Sequence, residues 1–163
     1  MEATMTRMLA LAVLPLFATA TMPAAGVPGH GDRPTSGFAR LTGEAEVPGP
    51  GDPDGRGVFV FKIRGDRLCY ILTAKKIATP TAAHIHQAPR DQAGPVVVGL
   101  EPPVRGVSFD CIEAVPDKEQ TDENAAMVLT ESELAEIVAD RGMFYVNVHN
   151  ADFPDGAIRG QLR

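Results

Sequence analysis

The sequence predicts an all-β domain, and three observations support this fold class. Glycine and proline are frequent, with 16 and 14 residues, whereas tryptophan is absent, a balance typical of many turns and short strands. Segments that alternate apolar and polar residues recur between clusters of turn residues, and one segment alone has helical periodicity. With 163 residues, of which 44% are hydrophobic, the chain is long enough for one sizeable core and therefore for one domain.

The first 25 residues have the pattern of a secretory signal peptide. Arg7 precedes an apolar run from Met8 to Ala20, which is too short to span a bilayer comfortably. Small residues follow the run closely, so we expect cleavage after Ala20 or after Ala25. The mature protein is therefore expected to be secreted, into the periplasm or the extracellular medium.

A flexible leader and then the folded domain are expected after the signal peptide. Residues 26–36 are mostly glycine, proline and polar residues without apolar periodicity, which predicts a flexible leader. The domain is expected to occupy residues 37–163, with no further membrane segment. Translation is expected to start at Met1 or at Met5, because Glu2 is unusual in the basic first part of a signal peptide.

A β-hairpin is the clearest local feature of the domain. Residues alternate from Val58 to Ile63, and the turn Arg64-Gly65-Asp66-Arg67 leads directly into a second alternating segment, Leu68 to Ala74. Turn residues bound six further short segments that predict strands in the same way. In chain order these segments are 38–43, 82–86, 95–100, 107–115, 143–149 and 157–162.

One short helix is expected near residues 130–140. Thr130 and Glu133 have the spacing of a capping box, with Thr130 as the N-cap. Three apolar residues then lie on one helical face: Leu134, Ile137 and Val138. Gly142 is expected to end the helix, which therefore has about ten residues and connects two strands.

The two cysteines of the chain, Cys69 and Cys111, are expected to form a disulfide. In an oxidising compartment, an isolated pair in one small domain is more often a structural bridge than a pair of ligands. The bridge closes a loop of about forty residues and stabilises the fold by constraining the unfolded chain. Two buried free thiols are the alternative.

Two pairs of polar residues with strand spacing predict a candidate metal site. His84 and His86 are two residues apart, so a strand places both imidazoles on the same face. Asn147 and His149 repeat this spacing on a later strand. If the two strands are neighbours, three imidazoles converge and suit Zn²⁺ or Cu²⁺, with an open position for water. Asn147 and Arg159 are then candidates for orienting the ligands or attracting an anion.

A metal-free interpretation of the same histidines is also open, and the sequence favours it. A His-x-His pair is typical of the polar face of a strand, and hydrogen bonds to Asn147, Asp152 or Arg159 satisfy imidazoles without a metal. For Arg159 itself, a carboxylate partner is expected rather than an anionic ligand. The candidate carboxylates are Glu44, Glu46 and Asp152.

The charge balance and the motifs exclude several classes of function. With 21 acidic and 15 basic residues the net charge is -6, which repels nucleic acids. The chain has no P-loop, dinucleotide fingerprint, nucleophile elbow or HExxH motif. No catalytic residue is therefore predicted, and a non-enzymatic protein is expected.

Four groups of motifs, in chain order, resemble the CHRD domain, a family named for repeats in chordin. They are LTGEAEVP at 41–48, AAHIH at 82–86 with GPVVV at 94–98, YVNVH at 145–149, and GAIRGQ at 156–161. The resemblance covers about residues 37–163, and the combination of motifs is specific. The chain is similar in this respect to bacterial secreted members of the family that have a single domain.

The resemblance implies a fold but no established activity. It implies an immunoglobulin-like antiparallel β-sandwich with Greek-key topology. Chordin is an extracellular antagonist of growth factors, but this chain has one copy of the domain and no cysteine-rich companion modules, so growth-factor binding is not implied. The residues of the metal hypothesis match the family's motifs, and the resemblance gives them no role.

Three hypotheses for the function follow. The first is a secreted, non-enzymatic module that contacts an extracellular protein or a small ligand. The second is a copper- or zinc-binding protein that uses His84, His86 and His149. The third, dismutase-like activity, rests on a weaker likeness to copper-zinc superoxide dismutases, which also place a His-x-His pair on a strand. The chain has too few histidines for both the copper site and the bridging zinc site of those enzymes.

Overall fold

A computed structural model describes residues 35–163 of the chain. The predicted signal peptide, its two cleavage sites, the two start sites and most of the predicted leader lie outside the described residues. The first strand begins at Thr35, two residues before the predicted start of the domain. The described part of the chain is all-β with one short α-helix, which confirms the predicted fold class.

Eight strands form one antiparallel sheet. Their bounds are β1 Thr35–Thr42, β2 Arg56–Arg64, β3 Arg67–Lys75, β4 Pro80–Gln87, β5 Val96–Leu100, β6 Val107–Glu113, β7 Phe144–Asn150 and β8 Ile158–Gln161. Neighbouring strands in the sheet follow the order β5-β4-β7-β8-β1-β2-β3-β6. Each segment that the sequence predicts as a strand therefore contains one.

The alternation of apolar residues decides which face of each strand is buried. In β2, Phe59, Phe61 and Ile63 point into the core, while the residues between them are exposed. Their partners in β3 alternate in the same way, and the ring of Tyr70 packs 5.4 Å from that of Phe59. A fully buried Leu or Phe stabilises the fold by about 1.5–3 kcal/mol relative to an exposed one. The face of the hairpin that carries these residues therefore packs against the core.

A single core links the two ends of the sheet. Val98 of β5 and Leu72 of β3 belong to the same hydrophobic cluster, although their strands lie near opposite ends of the strand order. The sheet must therefore curve around this core, so that its two halves face each other. The predicted immunoglobulin-like Greek-key sandwich is not confirmed, because hydrogen bonds join all eight strands into one sheet.

The predicted helix is present as α1, Glu131–Ala139, with the predicted capping box. The Thr130 side chain accepts a hydrogen bond from the Glu133 backbone N–H, and the Glu133 carboxylate accepts one from the Thr130 N–H. Leu134 and Ile137 are buried against the core. The helix ends three residues before Gly142, which lies in a 3-10 turn. Within residues 35–163, no helix combines the length and apolarity that a membrane crossing needs.

The predicted disulfide joins β3 to the neighbouring strand β6. Cys69 and Cys111 lie directly opposite each other in the ladder, with their Cα atoms 3.9 Å apart. Neither thiol is free, so the alternative of two buried free cysteines is wrong. The bond fixes the position of β6, which lies at one end of the strand order.

Candidate metal centre

The register of β4, β7 and β8 brings the predicted polar residues together on the outer face of the sheet. His84 lies opposite Asn147, and Asn147 lies opposite Arg159. One step along the strands, His86 lies opposite Tyr145. The residues between them in sequence, such as Ile85, point into the core. Strand alternation therefore turns the histidines away from the apolar core, as the sequence predicts.

The connection between β4 and β5, residues 88–95, covers part of this polar face. Its backbone carbonyls accept hydrogen bonds from side chains of β4 and β8. Gln161 Nε2 donates to the Ala88 carbonyl at 2.8 Å, and the Gly94 carbonyl lies 3.0 Å from Nδ1 of His86. We call this segment the 88–95 loop. It shields His86, which is buried, whereas His84 and His149 are half-buried and remain accessible.

The three imidazoles converge. Nδ1 of His84 lies 3.2 Å from Nε2 of His149, and the ring centroids of His84 and His86 are 5.5 Å apart. One nitrogen from each of the three rings lies within 4.8 Å of the other two. The structure thus joins all three histidines of the metal hypothesis into one group, which we call the histidine cluster.

Backbone carbonyls determine which ring nitrogens carry hydrogen. Nδ1 of His149 donates to the Pro154 carbonyl at 2.9 Å, so the lone pair on its Nε2 faces Nδ1 of His84, which lies within hydrogen-bond distance. In the same way, donation from His86 Nδ1 to Gly94 leaves the lone pair of His86 on Nε2. Oδ1 of Asn147 lies 3.1 Å from this Nε2, and the Asn147 amide can donate to a lone pair there only with its NH₂ group in that position.

Burial keeps the imidazoles of His84 and His86 neutral. Desolvation lowers the pKa of His84 to about 4, and the nearby His149 and His86 lower it further as potential cations. Desolvation also lowers the pKa of His86, against the opposing hydrogen bond to Gly94. Neutral imidazoles are the form that binds a metal ion. At neutral pH these two rings are therefore already deprotonated.

Arg159 and Tyr145 form a stack against the histidine cluster. The guanidinium carbon of Arg159 lies 3.4 Å from the centroid of the Tyr145 ring, and that ring stacks on His86 with 4.7 Å between centroids and 5° between planes. Arg159 is buried, and one of its terminal nitrogens donates to the carbonyls of Pro89 and Gln92 at 3.0 and 2.8 Å. The side chain therefore holds the 88–95 loop through backbone carbonyls.

Of the carboxylates proposed as partners of Arg159, Glu46 is the buried one. Desolvation raises its pKa to about 8, although the positive charge of Arg159 acts in the opposite direction. One carboxyl oxygen of Glu46 has no hydrogen-bond partner among the described residues. Glu44 and Asp152 are exposed. The structure therefore places Glu46 as the acidic neighbour of Arg159, without a hydrogen bond between them.

Four groups in the site were not predicted from the sequence. Tyr145 and Gln161 lie two residues from Asn147 and Arg159 on the same strand faces, so strand alternation alone could have identified them. The carbonyls of Gly94 and Pro154 could not be identified, because nothing in a residue type marks its backbone oxygen as a ligand for an imidazole N–H. Asp152, a candidate partner of the histidines, instead donates its backbone N–H to Oδ1 of Asn150.

Comparison with known proteins gives one match. A family model described as the CHRD domain matches residues 38–162, which include the whole histidine cluster, Asn147 and Arg159. No curated protein and no solved structure matches the chain.

Proposed function

The chain belongs to the CHRD domain family, and from this premise we propose that it is an exported module that binds one transition-metal ion through His84, His86 and His149. The disulfide between Cys69 and Cys111 supports a periplasmic or extracellular location, since such bonds persist in oxidising compartments. The function is proposed as metal binding without catalysis.

The observation that carries the proposal is the separation of 3.2 Å between Nδ1 of His84 and Nε2 of His149. With Zn–N bonds of about 2.0–2.1 Å, two nitrogens on one tetrahedral ion lie about 3.3–3.4 Å apart. The largest nitrogen separation in the cluster is within 4.8 Å, so it exceeds the ideal by at most about 1.5 Å. Small rotations of the rings supply that change.

The chemistry of the donors favours zinc or copper. Imidazole nitrogen suits both ions, whereas Mg²⁺ and Ca²⁺ prefer oxygen ligands. Hydrogen bonds from His86 and His149 to backbone carbonyls orient the two rings and increase their basicity. Three protein ligands leave the fourth position of a tetrahedral site for water or for a group from another molecule.

Dismutase-like activity is not part of the proposal. In the described part of the chain, three histidines form one group of metal-ligating side chains, and a dismutase of the copper-zinc type needs a second group that shares a bridging ligand. Copper-loaded protein assayed for superoxide turnover tests this directly, and we expect no rate above that of the copper-free protein.

Isothermal titration calorimetry of metal-free protein without a polyhistidine tag tests the proposal. We expect one equivalent of Zn²⁺ or Cu²⁺ to bind, and the affinity to fall by about 100-fold or more in His84→Ala and in His149→Ala. Gln87→Ala is a matched control, because Gln87 lies on β4 but bonds to Glu136. Unchanged binding in both histidine variants, with folding verified by circular dichroism, would refute the metal site.

A further inference from the structure

A row of exposed apolar side chains crosses four neighbouring strands on the outer face of the sheet. Phe38, Val60, Ile71 and Phe109 lie opposite one another in β1, β2, β3 and β6. Their exposed fractions are 41%, 49%, 52% and 76%. A single exposed apolar side chain needs no explanation, but an aligned set of four forms a continuous patch, and such patches mark interaction sites. We call these residues the apolar row.

A second, partly apolar row widens the patch on one side. Val58 and Val107 lie two residues from Val60 and Phe109 on the same strands, and both are exposed. Two residues along a strand correspond to about 7 Å, and four strands correspond to about 14 Å across the sheet. The patch therefore has about the width of the apolar stripe of one helix, and it accommodates two to three helical turns.

Basic residues border the patch at both ends of the strands. The positions in register with it on the same outer face include six basic residues and one acidic residue, Glu113. The basic residues are Arg40, Arg56, Lys62, Arg64, Arg67 and Lys75. The whole chain has 21 acidic and 15 basic residues, so this face has the opposite charge to the rest of the molecule.

We propose that this face is the docking surface for an amphipathic helix of a partner protein, whose apolar stripe is bordered by acidic residues. A helix presents its stripe and the flanking charges on the same side, so Leu-type side chains meet the apolar row while carboxylates reach the basic residues on both sides. In an extended strand, acidic residues that alternate with apolar ones point away from the surface. The geometry therefore favours a helix over a strand.

Charge complementarity also argues against a second copy of the chain as the occupant. A second copy of the chain related by two-fold symmetry brings the same basic borders together, which is repulsive. An anionic bilayer is attracted by the same basic face, so vesicles with anionic lipids serve as the competing occupant in the test. The disulfide supports the docking surface, because it holds Cys111 opposite Cys69 and thereby keeps Phe109 in register with Ile71.

Fluorescence anisotropy with a synthetic helical peptide of about sixteen residues, a Leu stripe bordered by Glu, tests this inference. We expect saturable binding that weakens as the salt concentration rises. The double variant Ile71→Thr, Phe109→Thr should bind at least about tenfold more weakly. Met127→Thr is the matched control, because Met127 is an exposed apolar residue outside the row, and it should bind as the unmodified protein does.

A charge-reversal variant distinguishes specific docking from nonspecific hydrophobic binding. The variant Arg56→Glu, Lys75→Glu should lose affinity for the Glu peptide and gain affinity for the same peptide with Lys in place of Glu. Equal binding of the two peptides by the unmodified protein would overturn the proposal. It is also overturned if the Glu peptide shows no saturable binding below about 1 mM, or if vesicles with anionic lipids bind while the Glu peptide does not.

Discussion

Nδ1 of His84 lies 3.2 Å from Nε2 of His149, although 65 residues separate the two histidines along the chain. The pairing of β4 with β7 explains this contact. Ala82 lies opposite His149, and His84 lies opposite Asn147, so the two histidines are diagonal neighbours on one face. Diagonal Cα atoms in an antiparallel pair are about 7–8 Å apart, a distance that two imidazoles bridge. The pairing of the two strands alone therefore holds the two rings together.

Asn150 is expected to position His149 for metal binding without touching the ion. Its Oδ1 accepts hydrogen bonds from the backbone N–H groups of Asp152 and Phe153, which shape the turn that presents the Pro154 carbonyl to His149. We expect Asn150→Ala to lower the Zn²⁺ affinity by about 10-fold and the free energy of unfolding by about 1–3 kcal/mol. Calorimetry and urea unfolding measure the two effects.

Asn150→Asp is the conservative comparison for this prediction, because aspartate retains an oxygen that accepts both hydrogen bonds. It should recover most of the Zn²⁺ affinity that Asn150→Ala loses. If both variants bind zinc as tightly as the unmodified protein, the turn does not orient His149.

Removal of the disulfide should destabilise the protein. The double variant Cys69→Ala, Cys111→Ala loses the constraint on an unfolded chain in which the two cysteines are 42 positions apart. We expect the free energy of unfolding to fall by about 2–4 kcal/mol, as measured by guanidinium unfolding. A reducing agent should lower the stability of the unmodified protein to a similar extent and leave the variant unchanged. Equal stability of the oxidised and reduced unmodified protein would contradict the prediction.

Glu46 should make the stability of the protein fall as the pH rises. Burial raises its pKa from 4.5 in the unfolded chain to about 8 in the fold. Between these values the native state binds a proton that the unfolded state releases, so stability decreases with a slope of up to about 1.4 kcal/mol per pH unit. The contribution is complete below pH 4.5 and lost above about pH 8.

Glu46→Gln removes this titration but keeps a neutral side chain of the same shape. In urea unfolding at a series of pH values, its stability should exceed that of the unmodified protein increasingly from pH 5 to pH 8. The neighbouring charge that acts on Glu46 is that of Arg159, and the variant leaves it in place. A constant difference between the two proteins across this range would show that Glu46 is ionised in the fold.

Arg159 should control the order of the 88–95 loop. Arg159→Lys keeps the charge, but lysine cannot replace the planar stack on Tyr145. We expect faster amide hydrogen exchange in the loop and a loss of about 1.5–3 kcal/mol in the free energy of unfolding, the magnitude of a hydrogen bond to a charged group. Amide hydrogen exchange in β2, which Arg159 does not contact, should change only as far as the global stability of the protein changes. Unchanged exchange in the loop would mean that the other contacts suffice to hold it.

The elements of the fold could be predicted because their signals are local. Alternation from Val58 to Ile63 places the side chains of β2 on two faces, and the observed burial follows this division residue by residue. The capping box at Thr130 likewise acts within one turn. The sandwich, which the family resemblance implied, was not confirmed. Alternation could not have replaced it, because alternation reports two faces for each strand and contains no information on which strands hydrogen-bond across the sheet.

The candidate site could be predicted only in part for the same reason. Spacing within β4 shows that His84 and His86 share a face, but the pairing of β4 with β7 is needed to bring in His149. The burial of His86 depends on the 88–95 loop, and that loop is held by carbonyl contacts to Gln161 and Arg159. Such contacts depend on the path of the backbone and have no signature in residue type.

The sequence by itself determined the strands, the helix and its cap, the cysteine pair and the shared face of His84 and His86. Each of these follows from interactions within a few residues or from the period of two along a strand. Only the tertiary structure decided the strand order, and with it the histidine cluster, the stack of Arg159 on Tyr145 and the alignment of Phe38 with Phe109. Strand order depends on how distant segments best bury one shared core, a property of the whole chain that no local segment contains.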